Sequence, residues 1–446
     1  MGDVVVLGAS LAGLWAAAAA AGAGAAVLVL ERDEANPEPV PRPGVPQGAQ
    51  PHVLLHRGLR AGEELLPGLR EELLHIGAVR IDTGVLPWLG EHGWLRQQPS
   101  YDVVSLSRPL FEQVVRERVL GLRGVEIRWG AHVDGLARVG TGWRVAVAGG
   151  SDVTAPLVVD ATGRSSRLRR WLADAGVRTP EPRTVDARMG YATQLVVGGP
   201  DPVDLPGVVV QATPEFPVGG LCLPVEGRRW LVTAVGFGEQ RRPPRDPDGF
   251  AAFLAALRDP AVAALLRSGD RVGEVAVHRQ TANRRHRYAE VSGWPDGLLA
   301  VGDALCCFDP VYGQGITVSA LQALRLRSAL DAADRRPVAT RRLLKQLDRA
   351  ADFPWAVATG EDVKMPSSSG RQSVGQAAVS AWAGEVGRRA VQGDRRANGV
   401  INSVYHLEAS PLALLHPALV TSVALGRVRR QPVASPRPAV LDVLGA

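Results

Sequence analysis

Three cysteines in 446 residues are too few for a disulfide framework. Cys306 and Cys307 are adjacent and Cys222 stands alone, so no CxxC pair exists for thiol redox work or a zinc ribbon. That scarcity points to a reducing compartment, and the cytoplasm is the expected location. The nine histidines include no HExxH and no His/Cys cluster at metal spacing, which leaves no metal site to nominate. Aromatics make up 5% of the chain and are not interleaved with its charges. There is no lysine-rich tail, and the most basic stretch, His278 to Tyr288, is short. Nucleic-acid binding is therefore not expected. Charge is absent from Val4 to Leu30, long enough to suggest a membrane span. Gly8, Gly13, Gly22 and Gly24 interrupt that run and its ends are β-branched, so no transmembrane segment is expected. Asp3 stands where a signal peptide needs positive charge.

What is present suits an enzyme with an anionic cofactor. Lys+Arg is 51 against 45 Asp+Glu, a net charge of +6, and 46% of residues are hydrophobic, enough for a large core. "DVVVLG", "LAGLWAAAAAAG" and "AAVLVLE" read as a buried strand, a helix and a second buried strand. A proline-rich loop follows. Residues from Leu54 to Ile76 read as helical with a break at Pro67-Gly68. "YDVVSLSRPLFEQVVRERVL" gives a strand and a helix, with Pro109 in its first turn and Ser107 as its cap. From about Asp186 to Gly238, apolar runs separated by proline and glycine turns read as antiparallel strands.

The expected fold is α/β: a Rossmann-like dinucleotide-binding domain, an inserted antiparallel β-sheet substrate domain and a helical C-terminal region. The first domain is assigned to 1–80, 101–180 and 275–340, the inserted sheet to 81–100 and 181–274, and the helical region to 341–446.

"GASLAG" (Gly8 to Gly13) is a GxGxxG fingerprint with Ser10 in its middle place. A strand precedes it, a helix follows, and Glu31 lies eighteen residues past Gly13. Gly8 permits the turn, a small residue at 10 lets a pyrophosphate near the backbone, and Gly13 allows close helix–strand packing. The helix start offers free amides and a positive dipole end to phosphates. Glu31 suits ribose hydroxyls.

NAD and FAD both fit that fingerprint. "GDALCCFDPVYGQGIT" (Gly302 to Thr317) favours FAD. Asp303 is read as closing a buried strand, where its carboxylate can accept from a polyol chain such as the ribityl linker. Pro310 fixes the loop. Gly313 and Gly315 remove side chains before a helix whose bare start, at Ile316, suits the electron-rich edge of a reduced flavin.

Taken with "VVDATGRSS", these motifs resemble FAD-dependent monooxygenases of the p-hydroxybenzoate hydroxylase fold. "RPGVPQGAQPHVLLHRG", "LSRPLFEQVVRERV" and "DPVYGQGITVSALQAL" are similar to an actinobacterial subgroup that includes the polyether epoxidases of lasalocid and monensin biosynthesis. The likeness runs from residue 3 to about 365. It implies a pyrophosphate held by Gly8, Ser10, Leu11 and Gly13, and an adenosine ribose held by Glu31 beside Arg32. Arg42 and Arg108 then approach the phosphates or ribityl, Val133 offers backbone to the adenine, and Asp303 holds the ribityl region. Pro310, Gly313, Gly315 and Ile316 face the pyrimidine ring. Asp309 departs from the asparagine frequent in the subgroup, and its acid is expected to point away from the ring.

The implied chemistry is insertion of one oxygen atom from O2, through a flavin C4a-hydroperoxide, into a lipophilic specialised-metabolite intermediate, by epoxidation or hydroxylation. Electrons come from NADPH, NADH or a separate flavin reductase. The alternative is a dehydrogenase or double-bond reductase that inserts no oxygen. A halogenase is disfavoured, since "WLGEHGW" is not WxWxIP. Such a reaction needs no side-chain nucleophile. His52 is the one candidate proton handler, and Met189, Tyr191, Leu221, Leu223 and Trp230 on the inserted sheet are the candidate substrate wall.

Overall fold

The computed structural model describes residues 2–334, 337–370, 374–428 and 435–445. The chain opens with β1 (Val4–Leu7), α1 (Leu11–Gly22), β2 (Val27–Leu30) and, after the proline-rich loop, α2 (His56–Leu65). Next come β3 (Trp88–Gly90), α3 (Arg108–Leu120), β4 (Val125–Arg128) and β5 (Leu157–Asp160). A second group follows: β6 (Met189–Gly198), β7 (Val208–Val210), β8 (Val218–Val225), β9 (Arg229–Phe237), α4 (Pro247–Ala255), α5 (Ala261–Arg267) and β10 (Gly269–His278). Then come β11 (Leu298–Ala300), α6 (Gly315–Ala333), α7 (Asp352–Asp362) and α8 (Arg395–Tyr405).

Two sheets dominate. The first has the order β11-β5-β1-β2-β4 and is parallel throughout, with Val4 opposite Val27 and Leu157, and Val158 opposite Leu298. Its central strands are buried on both faces, which explains why they read as unbroken aliphatic runs. Helices α1 and α6 cover one side, and the alanines of α1 let them pack closely. The second sheet has the order β10-β6-β9-β8-β7-β3, with Gly93–Trp94 at its edge. It is antiparallel except where β7 meets β3. The expected Rossmann-like α/β fold with an added antiparallel sheet and C-terminal helices is the fold observed.

The segment from Leu54 to Ile76 breaks at Pro67-Gly68 as its sequence predicts, giving α2 and a short second helix, Leu69–His75. Two details differ. Ser107 sits at the cap position of α3 but makes no side-chain capping bond. The strand before Asp303 ends at Ala300, and Gly302 to Ala304 form a 3-10 turn. The turn carries Asp303 beyond the carboxyl edge of the sheet, where open α/β sheets hold ligands. The uncharged run at Val4 to Leu30 is two strands and a buried helix. Among the described residues, no helix is long and apolar enough to cross a membrane.

Candidate functional site

The fingerprint turn is built by sterics. Gly8 has φ +96°, and a Cβ there would lie 2.8 Å from the carbonyl oxygen of Ala161. A Cβ on Gly13 would fall 1.8 Å from the oxygen of Gly8, so only glycine lets α1 approach β1 this closely. Ser10 stands at the start of α1 and its hydroxyl donates to Glu112 Oε2 at 2.9 Å. Glu31, at the end of β2, accepts from the amides of Ala9 at 2.6 Å and Asp33 at 3.0 Å.

Two arginines converge on this turn. Arg42 Nε donates to Glu112 Oε1 at 2.7 Å, and its Nη1 lies 3.1 Å from Glu31 and 3.0 Å from Asp33. Burial alone would lower the pKa of Arg42, but Glu112 and Glu31 outweigh it and raise it. Arg108, on the first turn of α3, donates to Ser10 Oγ at 2.9 Å and to Glu112 at 3.3 Å. Glu112 is 4% exposed and binds both cations and the serine. Sequence reasoning missed it, although its position four residues after Arg108 on one helix was a usable signal. Asp33, which also holds the amide of Gly44 at 2.9 Å, was missed too.

A cavity of about 470 Å³ starts at this turn. It passes Arg32, Arg42 and Val133 at one end, runs by Asp303, and reaches the loop before α6 and the face of the antiparallel sheet. The sequence candidates Gly8, Ser10, Leu11, Glu31, Arg108, Pro310, Gly313, Gly315 and Ile316 all line it, and so does His52. Gly13 does not; its role is the packing just described.

The residues present fit a flavin dinucleotide. Asp303 projects from its turn with no hydrogen-bond partner among the described residues. Burial pushes its carboxyl above the usual range, opposed by Arg164, Arg108 and Arg284. Gly313 has φ +65°, a conformation that favours glycine, and a Cβ on Gly315 would sit 3.9 Å from Asp303 Oδ1. Gln314 lines the cavity, and its Oε1 is buried with no partner among the described residues. The amide of Val318 bonds to the carbonyl of Gln314, leaving the amides before it outside the helix's own ladder. Unpaired acceptors, free amides and glycines thus meet on one wall.

Asp309 is 1% exposed and lines the cavity, with its Oδ1 turned onto the amide of Val311 at 3.0 Å. Burial and then Asp362 push its carboxyl well above the ordinary range. His52 is neutral. Burial and Arg108 lower its pKa to about 3. Its Nδ1 lies 2.9 Å from the Gln50 carbonyl, which can only accept, so Nδ1 carries the proton and Nε2 is an acceptor. His52 can take up a hydrogen bond but has no proton to give from Nε2.

The sheet obeys the two-residue period. Met189, Tyr191, Leu221 and Leu223 line the cavity with Thr233 and Val235. Trp230 does not. It is fully buried on the opposite face, with Ala192, Val196 and Val232 against Phe250 and Leu254 of α4 and Val262 of α5. Its assignment to the substrate wall is corrected: Trp230 pairs with Val196, of the face away from Met189 and Tyr191. No metal-binding group of three or more His, Cys, Asp or Glu occurs among the described residues, and all three cysteines are free and buried.

Residues 1–360 match the family described as FAD binding domain. Protein Rv3254 of Mycobacterium tuberculosis (strain ATCC 25618 / H37Rv) is 33% identical over 355 residues, which span 74% of this chain and 73% of that protein. Among solved structures, PqsL of Pseudomonas aeruginosa, a probable FAD-dependent monooxygenase, superposes with a TM-score of 0.63. It is 18% identical and covers 81% of this chain and 97% of its own. OxyS anhydrotetracycline hydroxylase from Streptomyces rimosus superposes with a TM-score of 0.58 at 20% identity, covering 91% of this chain and 76% of its own. At these identities the two structures speak to the fold.

Proposed function

The chain belongs to the FAD-binding domain family, and from that membership we propose that it is an FAD-dependent monooxygenase. It inserts one atom of O2 into a lipophilic small molecule, by epoxidation of an alkene or by hydroxylation. The observation that carries the reading is the continuity of one cavity from the fingerprint turn to the apolar face of the antiparallel sheet. A cofactor and an apolar substrate can therefore meet without crossing water. The names of the neighbouring hydroxylase and probable monooxygenase support oxygen insertion. The polyether-epoxidase resemblance supports an alkene as the target.

Bound FAD, once reduced, supplies the activation of dioxygen. The rest falls to the chain. Ser10 and the free amides of α1 hold the pyrophosphate, with Arg42 and Arg108 balancing its charge. Glu31 holds the adenosine ribose, Val133 the adenine, and Asp303 the ribityl hydroxyls. The amides at Gly315 and Ile316 take the electron-rich edge of the reduced ring. Met189, Tyr191, Leu221 and Leu223 exclude water and orient the substrate. Asp309 turns its Oδ1 onto the amide of Val311, which would hold that oxygen away from the ring. His52 accepts a hydrogen bond from the substrate or from a water at Nε2.

Oxygen uptake by the FAD-loaded protein tests this, with NADH, NADPH or free reduced flavin as donor and a panel of lipophilic alkenes and phenols. Uptake coupled to a product heavier by one oxygen is expected. A product altered without gaining oxygen would instead support the dehydrogenase or reductase reading.

A further inference from the structure

A second cavity of about 170 Å³ adjoins the first, sharing with it His52, Val53, Leu221, Leu223, Val235, Val311 and Tyr405. Its own walls come from several parts of the chain. Ile81 and Val103 rise from the segment beside the first sheet, Val209 and Phe237 from the antiparallel sheet, and Met365 follows α7. The charges at its lining are Glu91, which is exposed, and Glu361 and Lys364, which pair with each other at 2.6 Å. Apart from the exposed Glu91, no unpaired charge stands among the described lining residues. The chamber's chemistry is that of a hydrocarbon slot.

Tyr405 stands at the junction, lining both cavities, and Trp88 lines the second beside it. Tyr405, the last residue of α8, meets Trp88 of β3 edge-on, with centroids 6.1 Å apart at 80°. The Tyr405 hydroxyl reaches the loop before α6, 4.0 Å from where a Cβ on Gly313 would lie. Both rings are pinned. Trp88 Nε1 donates to Gln211 Oε1 at 3.2 Å. The neighbour of Tyr405, His406, is fully buried. Its Nδ1 accepts from the amide of His56 at 3.2 Å, so its Nε2 donates to Thr83 Oγ1 at 2.8 Å. Residue 405 lies past the 1–360 span shared with the family, so this part of the wall belongs to the chain's own C-terminal region.

We propose that the second cavity binds an unbranched, uncharged hydrocarbon arm of the substrate, and that Tyr405 and Trp88 set how long that arm can be. This rests on the monooxygenase reading only for the word substrate; the site itself is a binding prediction. The reacting end lies in the first cavity, beside the loop of Gly313, and the arm passes Tyr405 into the slot, where the Tyr405 and Trp88 rings take up part of its space.

The test is binding of 4-alkylphenols, methyl to octyl, to FAD-loaded protein, read from the bound flavin's absorption and by calorimetry. Affinity is expected to rise roughly fourfold per methylene until the slot is full, and then to stop rising. Tyr405→Ala moves that break to longer chains, Tyr405→Trp moves it to shorter ones, and Tyr405→Phe leaves it in place. FAD content and melting temperature identify any variant that fails to fold, in which case Trp88→Ala, which enlarges the second cavity beside Tyr405, carries the test. Affinity independent of chain length, or a break unmoved by folded Tyr405 and Trp88 variants, overturns the inference. A moving break in a protein that never oxygenates anything keeps the slot and defeats only the monooxygenase reading.

Discussion

Arg108 Nη2 donates to Ser10 Oγ at 2.9 Å, and that serine donates in turn to Glu112, one helical turn after Arg108. The small residue that lets a pyrophosphate approach therefore also bolts α3 to the fingerprint. Ser10→Gly should keep the cradle and lose the bolt. We expect apoprotein stability to fall by about 1 kcal/mol, measured by urea denaturation, with FAD affinity changed less than stability.

Glu112→Ala is a harsher change. It strips Arg42 and Arg108 of their shared buried partner. The expected loss is roughly 3–5 kcal/mol, seen as a lowered denaturation midpoint. Glu112→Gln, which keeps an acceptor, should lose less.

Asp303→Ala should lose FAD during purification while folding normally, because the wild-type carboxylate has no protein partner to abandon. A loss of roughly tenfold to a hundredfold in affinity is expected for a hydrogen bond to a charged group, read from the ratio of flavin to protein absorbance. A fully yellow variant would remove Asp303 from the ribityl role. Glu31→Ala should weaken FAD less, though it also frees the amide of Ala9.

The acid response of His406 has a definite sign. Burial and then His56 lower its pKa to about 4, below the ordinary histidine value, so the fold prefers the neutral ring. Its contribution is complete above about pH 6.5 and is lost as pH falls toward 4. Asp362, whose carboxyl burial pushes up to about 7, works in the opposite direction throughout that range. The clean measurement is the stability gap between wild type and His406→Gln. It should shrink by roughly 1–2 kcal/mol between pH 7 and pH 5.

The parts of the site that are continuous in sequence were legible there. The turn from Gly8 to Gly13, the acid at 31 and the loop from Asp303 to Ile316 each sit between elements whose periodicity gives them away. Glu112 was hidden because its meaning depends on where α3 docks, a matter of tertiary packing. Trp230 was misassigned for a plainer reason. Alternation says that half of a strand faces each way, but not which half, and a large aromatic suits a core as well as a pocket. Tyr405 lay beyond reach because its place comes from α8 returning to the start of α2 and to Thr83, held there by His406. No local pattern reports that contact.

Gly13→Ala offers a steric check independent of any ligand. With the oxygen of Gly8 at 1.8 Å from the added carbon, α1 must move away from β1. The variant should be insoluble or lack FAD. A well-folded yellow Gly13→Ala protein would show that helix and strand do not pack as described.

The most direct measurement is the fate of isotopic oxygen. FAD-loaded protein, reduced without air and then mixed with 18O2 and a lipophilic alkene or phenol that it binds, should yield a product carrying one heavy oxygen atom by mass spectrometry. Heavy oxygen found only in peroxide and water, with the organic product altered but unlabelled, would contradict the account.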